Sequence, residues 1–323
     1  MKKQVVISVE KGVNYFFHVQ TVSKINYDSK YSEVYNKSIN EKDIKFLKNN
    51  EELFLFGNGK SLSIFTVLFL FLPSLLNLNN PNKINNYFDK LCYSLKEKEA
   101  SIFIKEYEKA INKVEKLHED YRKVLNEKID MIMSNYFEEV VKAAEIYKRN
   151  YKTYNEKVWP KEKLKLVNKA KELKEKLNKT NIISKFEKVT RKKYKSPKFK
   201  VVLCSANNNG PDANDLGYDK NVHFYNRNIE DMIHMISHEI GVRILFPMKN
   251  IVNKQNDYLI YDALESIAEF YNRKVLDIPK NEIFNRLKML KVYEEIYTNK
   301  PDISAEDLFK TGIEKVQEQG NFR

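Results

Sequence analysis

The chain is predicted to be mainly α, of the α+β type, with a few short strands, and three observations predict this. Glycine and proline are scarce, eight of each in 323 residues, so there is little to break helices. The stretch from Ile84 to Asn150 contains neither, and within it Leu117, Tyr121, Leu125 and Ile129 recur at four-residue steps as one apolar stripe. Hydrophobic residues make up 42% of the chain, enough to bury a sizeable core.

In chain order, Gln4 to Ser8 reads as a first strand, and Val13 to Ile25 changes to a helical apolar pattern that holds His18 as a core histidine. Tyr27, Tyr31 and Tyr35 suggest a second helix, and Asp43 to Phe56 a third. The string GNGKS at Gly57 to Ser61 lacks the earlier glycine of a phosphate-binding loop, Phe54 standing in its place, and reads as a turn. The uncharged segment Ser61 to Asn82 has an apolar core at Leu62 to Leu78, but Pro73, Ser74 and Asn77 crowd its second half. A buried core helix is expected there, and no membrane span.

The helical pattern of 84–150 leaves His118 at the surface. Trp159-Pro160 is expected to interrupt the helices before a charged helix from Lys161 to Lys179. The basic, Pro197-containing segment Arg191 to Lys200 divides the chain into a mostly helical region, 1–196, and a second module, 197–323. In that module Phe199 to Ser205 reads as a buried strand and Ala206 to Gly217 as a loop rich in turn formers. Asn221 to Tyr225 reads as a short strand, followed by helices over Ile229 to Leu245, Tyr258 to Lys274, Glu282 to Tyr297 and Ala305 to Glu318, the last capped by Ser304.

The net charge of +13 is concentrated. Residues 151–200 carry 18 Lys and Arg against 5 Glu, while the rest of the chain balances at 39 of each sign. Such a region is either a solvated helix with a basic tether or the footprint of an anionic partner, nucleic acid or lipid. Two cysteines, Cys92 and Cys204, are too few for a disulfide framework, and with no signal-like N-terminus a cytoplasmic protein is expected.

Chemistry concentrates in Asn221 to Leu245, where three of the five histidines lie within sixteen positions. His234 and His238 stand one helical turn apart, with Glu239 about 100° round from His238. Two imidazoles so spaced can share a zinc ion with a carboxylate from another helix, and an adjacent glutamate can take a proton from metal-bound water. Asp262, Glu265 and Glu269 share one face of the following helix.

This arrangement resembles the zincin metallopeptidases, in particular the gluzincin branch: a strand around His223, then HEIGV at His238 to Val242, then LESIAEF with Glu265 standing 26 residues after Glu239. The resemblance covers roughly residues 199–275. It implies a zinc-dependent enzyme that hydrolyses peptide or protein substrates, with Glu239 as general base. The second histidine of HExxH is replaced by Val242, and in the HExxxH spacing of tubulin-tyrosine-carboxypeptidase-like proteins it is replaced by Arg243. Two readings follow. Either His234 completes a remodelled zinc site with His238 and Glu265, or the module has kept the family's shape as a non-catalytic binding or regulatory protein. A third reading, from a different class, is a basic helical protein that binds nucleic acid through residues 151–200.

Overall fold

The computed structural model describes residues 3–56, 64–116, 121–208, 213–252, 257–277 and 287–318. The expected turn at GNGKS, the surface position of His118 and the start of the helix expected from Glu282 lie outside them. The protein is mainly helical with one small mixed sheet. It divides into two compact units, one of Ile7–Glu172 with Lys200–Arg227, the other of Met1–Val6, Leu173–Phe199 and Asn228–Arg323. The composition break at 196/197 thus lies close to one crossing of the chain between units, at 199/200, and the chain also crosses at 6/7, 172/173 and 227/228.

The larger unit is built round helix α1 (Lys11–Val22), which is buried at every residue after Lys11. Its polar side chains are satisfied inside the core: the Asn14 amide donates to Leu203 O at 2.9 Å and the Thr21 hydroxyl to Ala206 O at 2.7 Å. His18 is fully buried between the Tyr31 and Ser38 hydroxyls, and burial lowers its pKa to about 3, so it is a neutral core histidine. Gly12 lies against the backbone of Asn77 and Leu78, where a Cβ would come within 2.6 Å of Leu78 O.

That backbone ends the apolar segment. Its described part is a short run of α and π turns from Ile64 to Leu76, stopped by Asn77 in the left-handed conformation, with Phe65, Leu68, Phe69 and Leu70 wholly buried. It is a core helix, and among the described residues no helix is long and apolar enough to cross a membrane. Helices α2 (Pro81–Lys96) and α3 (Phe137–Thr153) pack beside it, sharing Phe69, Phe88 and Tyr147 in one aromatic cluster. Helix α3 runs on through a π turn, Tyr154–Val158, into α4 (Trp159–Leu177). Trp159-Pro160 therefore does not interrupt the helix as expected. The wider π turn comes just before the proline, where an α ladder would have required the missing N–H.

Strands β1 (Gln4–Ser8), β2 (Lys198–Cys204), β3 (Ala213–Gly217) and β4 (Lys220–Phe224) form a sheet in the order β1-β2-β4-β3. Strands β2 and β4 are parallel with Val202 opposite Val222, and β3 returns antiparallel to β4. Strand β3 falls in the expected loop 206–217. Its sequence ANDLG lacks β-formers, and it is held by pairing with β4 across a bulge between Asp215 and Gly217. Cys204 ends β2 wholly buried, and burial pushes its thiol up to about 12. Lys220, at the start of β4, is buried too, its ammonium 2.7 Å from Glu10 and 2.9 Å from Ser74 O.

The smaller unit is helical: α5 (Ile182–Thr190), α6 (Ile229–Leu245), α7 (Asp257–Leu276), α8 (Leu290–Asn299) and α9 (Ala305–Glu318). Helix α7 is its hub, packed by the other four. As expected, Ser304 caps α9: its hydroxyl accepts from the Asp307 N–H at 3.0 Å and donates to the Asp307 carboxylate at 2.7 Å. Asn228 caps α6 through the Asp231 N–H at 2.7 Å. Helix α6 presses on α5 at Gly241, where a Cβ would stand 2.7 Å from the Phe186 ring.

Candidate functional site

Helices α6 and α7 run antiparallel, and the same spacing governs both faces of their seam. His234 and His238 are one turn apart on α6, and Glu265 and Glu269 are one turn apart on α7. The pairs therefore meet in register. His238 Nε2 lies 2.9 Å from Glu265 Oε2, its Nδ1 3.3 Å from Glu269 Oε2, and His234 Nε2 3.1 Å from both Glu269 oxygens. Three of the four side chains are essentially sealed from solvent, and only Glu265 reaches the surface, at 19% exposure.

Glu269 is the hinge of this cluster. Besides the two imidazoles it accepts from Asn272 Nδ2 at 3.1 Å and from Arg273 Nε at 3.1 Å. Burial alone would raise its pKa, but the hydrogen bonds and charges of His234 and His238 hold it down at about 2. His238 shows the converse. Burial would lower it, yet hydrogen bonds to Glu265 and Glu269, with the Glu239 charge nearby, raise it to about 10. At neutral pH its ring is an imidazolium that donates to two carboxylates. Asn272 also ties α7 to the α6 backbone at His234 O, 3.2 Å, and Arg273 reaches Glu294 of α8 at 3.1 Å.

These contacts decide whether the predicted zinc set fits. His234 Nε2 and His238 Nδ1 converge on Glu269, while Glu265 meets the opposite nitrogen of His238. The two nitrogens of one ring point apart, so the face of His238 that meets Glu265 is not the face it shares with His234. Among the described residues no group of three or more His, Cys, Asp or Glu side chains is disposed to hold a metal ion. His234, His238 and Glu265 are brought to one seam, as expected, but do not converge on one point.

The predicted base has a partner of its own. Arg243, which stands where HExxxH would place a histidine, is 2% exposed, and its guanidinium lies 3.6 Å from the Glu239 carboxylate. The carboxylate is thus held beside a fixed cation. The strand that carries His223 is interior, between β2 and β3. It belongs to the larger unit, and the His-Glu helix to the smaller.

The expected ligand set has Glu265 and not Glu269, and Asn272 and Arg273 have no part in it. The signal was present in the matched four-residue spacings of 234/238 and 265/269, with Arg273 one turn beyond. Comparison with protein-family models, with curated proteins and with solved structures finds no match.

Proposed function

We propose that this chain is a non-catalytic, zincin-like binding or regulatory protein, in which the His-Glu helix clamps two helices together and does not hydrolyse peptides. The observation that carries this reading is the division of His238 between two carboxylates of α7, one at each ring nitrogen. A second supports it: the side chain at the lost ligand position, Arg243, is a permanent buried cation paired with the would-be base, Glu239. Where zinc would neutralise carboxylates, protonated His238, Arg243 and Arg273 supply the positive charge. A cation entering this seam has to displace protons from its ligands, which weakens binding.

Chelator-free protein analysed for metals is expected to carry substoichiometric zinc, with added zinc leaving the unfolding midpoint unchanged. His238→Ala is expected to lower stability with or without zinc. One equivalent of bound zinc that disappears in His238→Ala, together with peptide hydrolysis abolished by Glu239→Gln, would restore the metallopeptidase reading.

A further inference from the structure

Helices α3 and α4, joined by their π turn, form one uninterrupted helical run, which lies in the larger unit as far as Glu172, and its exposed face there carries unneutralised charge. From the π turn onward, Lys157, Lys161, Leu164, Asn168 and Lys171 follow one another at steps of four and three, the spacing that keeps residues on one side of a helix. All five are exposed. Lys152 extends the same side into α3, and Lys163 flanks it. Lys152, Lys157, Lys161, Lys163 and Lys171 make no ion pair among the described residues, although Glu156 is exposed on the same rod. The opposite side, with Val158, Glu162, Leu166 and Leu173, is the buried one.

Two facts distinguish this face from an ordinary solvated helix. One of its lysines acts on a neighbour: Lys11, whose amine is hydrogen-bonded to Asn155, has its pKa lowered first by partial burial and then by the Lys163 ammonium. And in the middle of the lysines stand two apolar side chains turned to solvent, Leu164 at 66% and Val167 at 44% exposure. The helical run from Lys152 to Lys171 is on the order of 30 Å long, at about 1.5 Å per residue.

We infer that this lysine-edged face of α4 is a docking surface for an anionic lipid bilayer. Charge complementarity selects an anionic partner, since each lysine near a negatively charged leaflet adds to binding. The apolar pair selects lipid over nucleic acid. A phosphate backbone gives Leu164 and Val167 nothing to enter, whereas the boundary between headgroups and acyl chains receives such side chains while lysines extend to the phosphates. The attachment is peripheral and salt-sensitive, because the charges involved are exposed.

The test is co-sedimentation of the full chain with vesicles of phosphatidylcholine containing about one third phosphatidylserine, against phosphatidylcholine alone, with duplex DNA retention measured in parallel. Binding is expected to the anionic vesicles only, weakening as salt rises. Lys157→Gln, Lys161→Gln and Lys171→Gln together are expected to reduce it on the order of a hundredfold. Leu164→Gln with Val167→Gln is expected to reduce vesicle binding on the order of tenfold without reducing DNA retention. All five positions are exposed, so these variants keep the fold. No sedimentation at low salt overturns the inference, as does sedimentation that the lysine changes leave intact. DNA retention without vesicle binding assigns the face to a nucleic acid instead, and indifference to the Leu164 and Val167 changes removes the argument for lipid.

Discussion

At the scale of single residues, His238 and Glu269 hold opposite charges in a place where neither would be stable alone. Removing one member of a buried, hydrogen-bonded ion pair typically costs about 3–5 kcal/mol, because the other is left charged and unpaired. The pH dependence follows from the two shifts. Glu269 is depressed from 4.5 to about 2, so its contribution is complete above about pH 4.5 and fades as pH falls toward 2. His238 is raised from 6.5 to about 10, so its contribution is complete below about pH 6.5 and fades as pH climbs toward 10. Both are complete only between those limits. Urea unfolding of wild type and His238→Gln is therefore expected to show the largest stability gap at about pH 5–6 and a narrower one at about pH 9. A gap constant across that range would mean that the pKa of His238 does not differ between the folded and unfolded chain. Glu265→Gln is expected to cost less than Glu269→Gln, since Glu265 is partly exposed and meets one ring nitrogen, whereas Glu269 has four donors.

At the scale of elements, Gly241 shows how a helix position is chosen by its neighbour. Alanine there would gain about 1 kcal/mol of helix propensity. It would also force a Cβ to 2.7 Å from the Phe186 ring of α5, and overpacking of that kind typically costs about 1–3 kcal/mol. Gly241→Ala is expected to lower stability, and adding Phe186→Leu is expected to recover part of the loss, so that a double-mutant cycle shows coupling. Additive effects would place the strain elsewhere. The elements also show what a sequence makes legible. Helices α6, α7 and α9 and the cap at Ser304 were readable, because apolar period and capping residues are local signals, whereas α5 was not marked and α8 begins at Leu290, later than expected. Strand β3 was not, because ANDLG owes its extension to β4. The helix through Pro160 was not, because no local pattern marks the π turn that accommodates it. The site was half readable. Spacing put His234 and His238 on one face, but choosing Glu269 as their shared partner required the register of α6 on α7, a tertiary fact.

At the scale of the whole molecule, the two units are woven from alternating stretches of chain, and the break in composition at Arg191 to Lys200 does not yield a detachable half. A fragment of residues 197–323 would contain β2, β3 and β4 with Val201, Val202, Leu203 and Val222 stripped of the core that leaves them 0% exposed. It would also leave Lys220 without Glu10. Expressed alone, that fragment is expected to aggregate or to be digested rapidly by protease, while the full chain resists. A soluble, protease-resistant fragment would show that the C-terminal module is self-sufficient.

The two cysteines give this architecture a readout of its own. Cys92 and Cys204 both belong to the larger unit, and the thiol at the end of β2 is wholly enclosed and held protonated by burial. Alkylating reagents attack the thiolate, so Cys204 stays silent in the closed protein and becomes reactive only when the larger unit opens. The rate of its modification is thus a clock for the opening of that unit alone. The unit that holds the histidine clamp has no cysteine, and its excursions pass unrecorded by that clock.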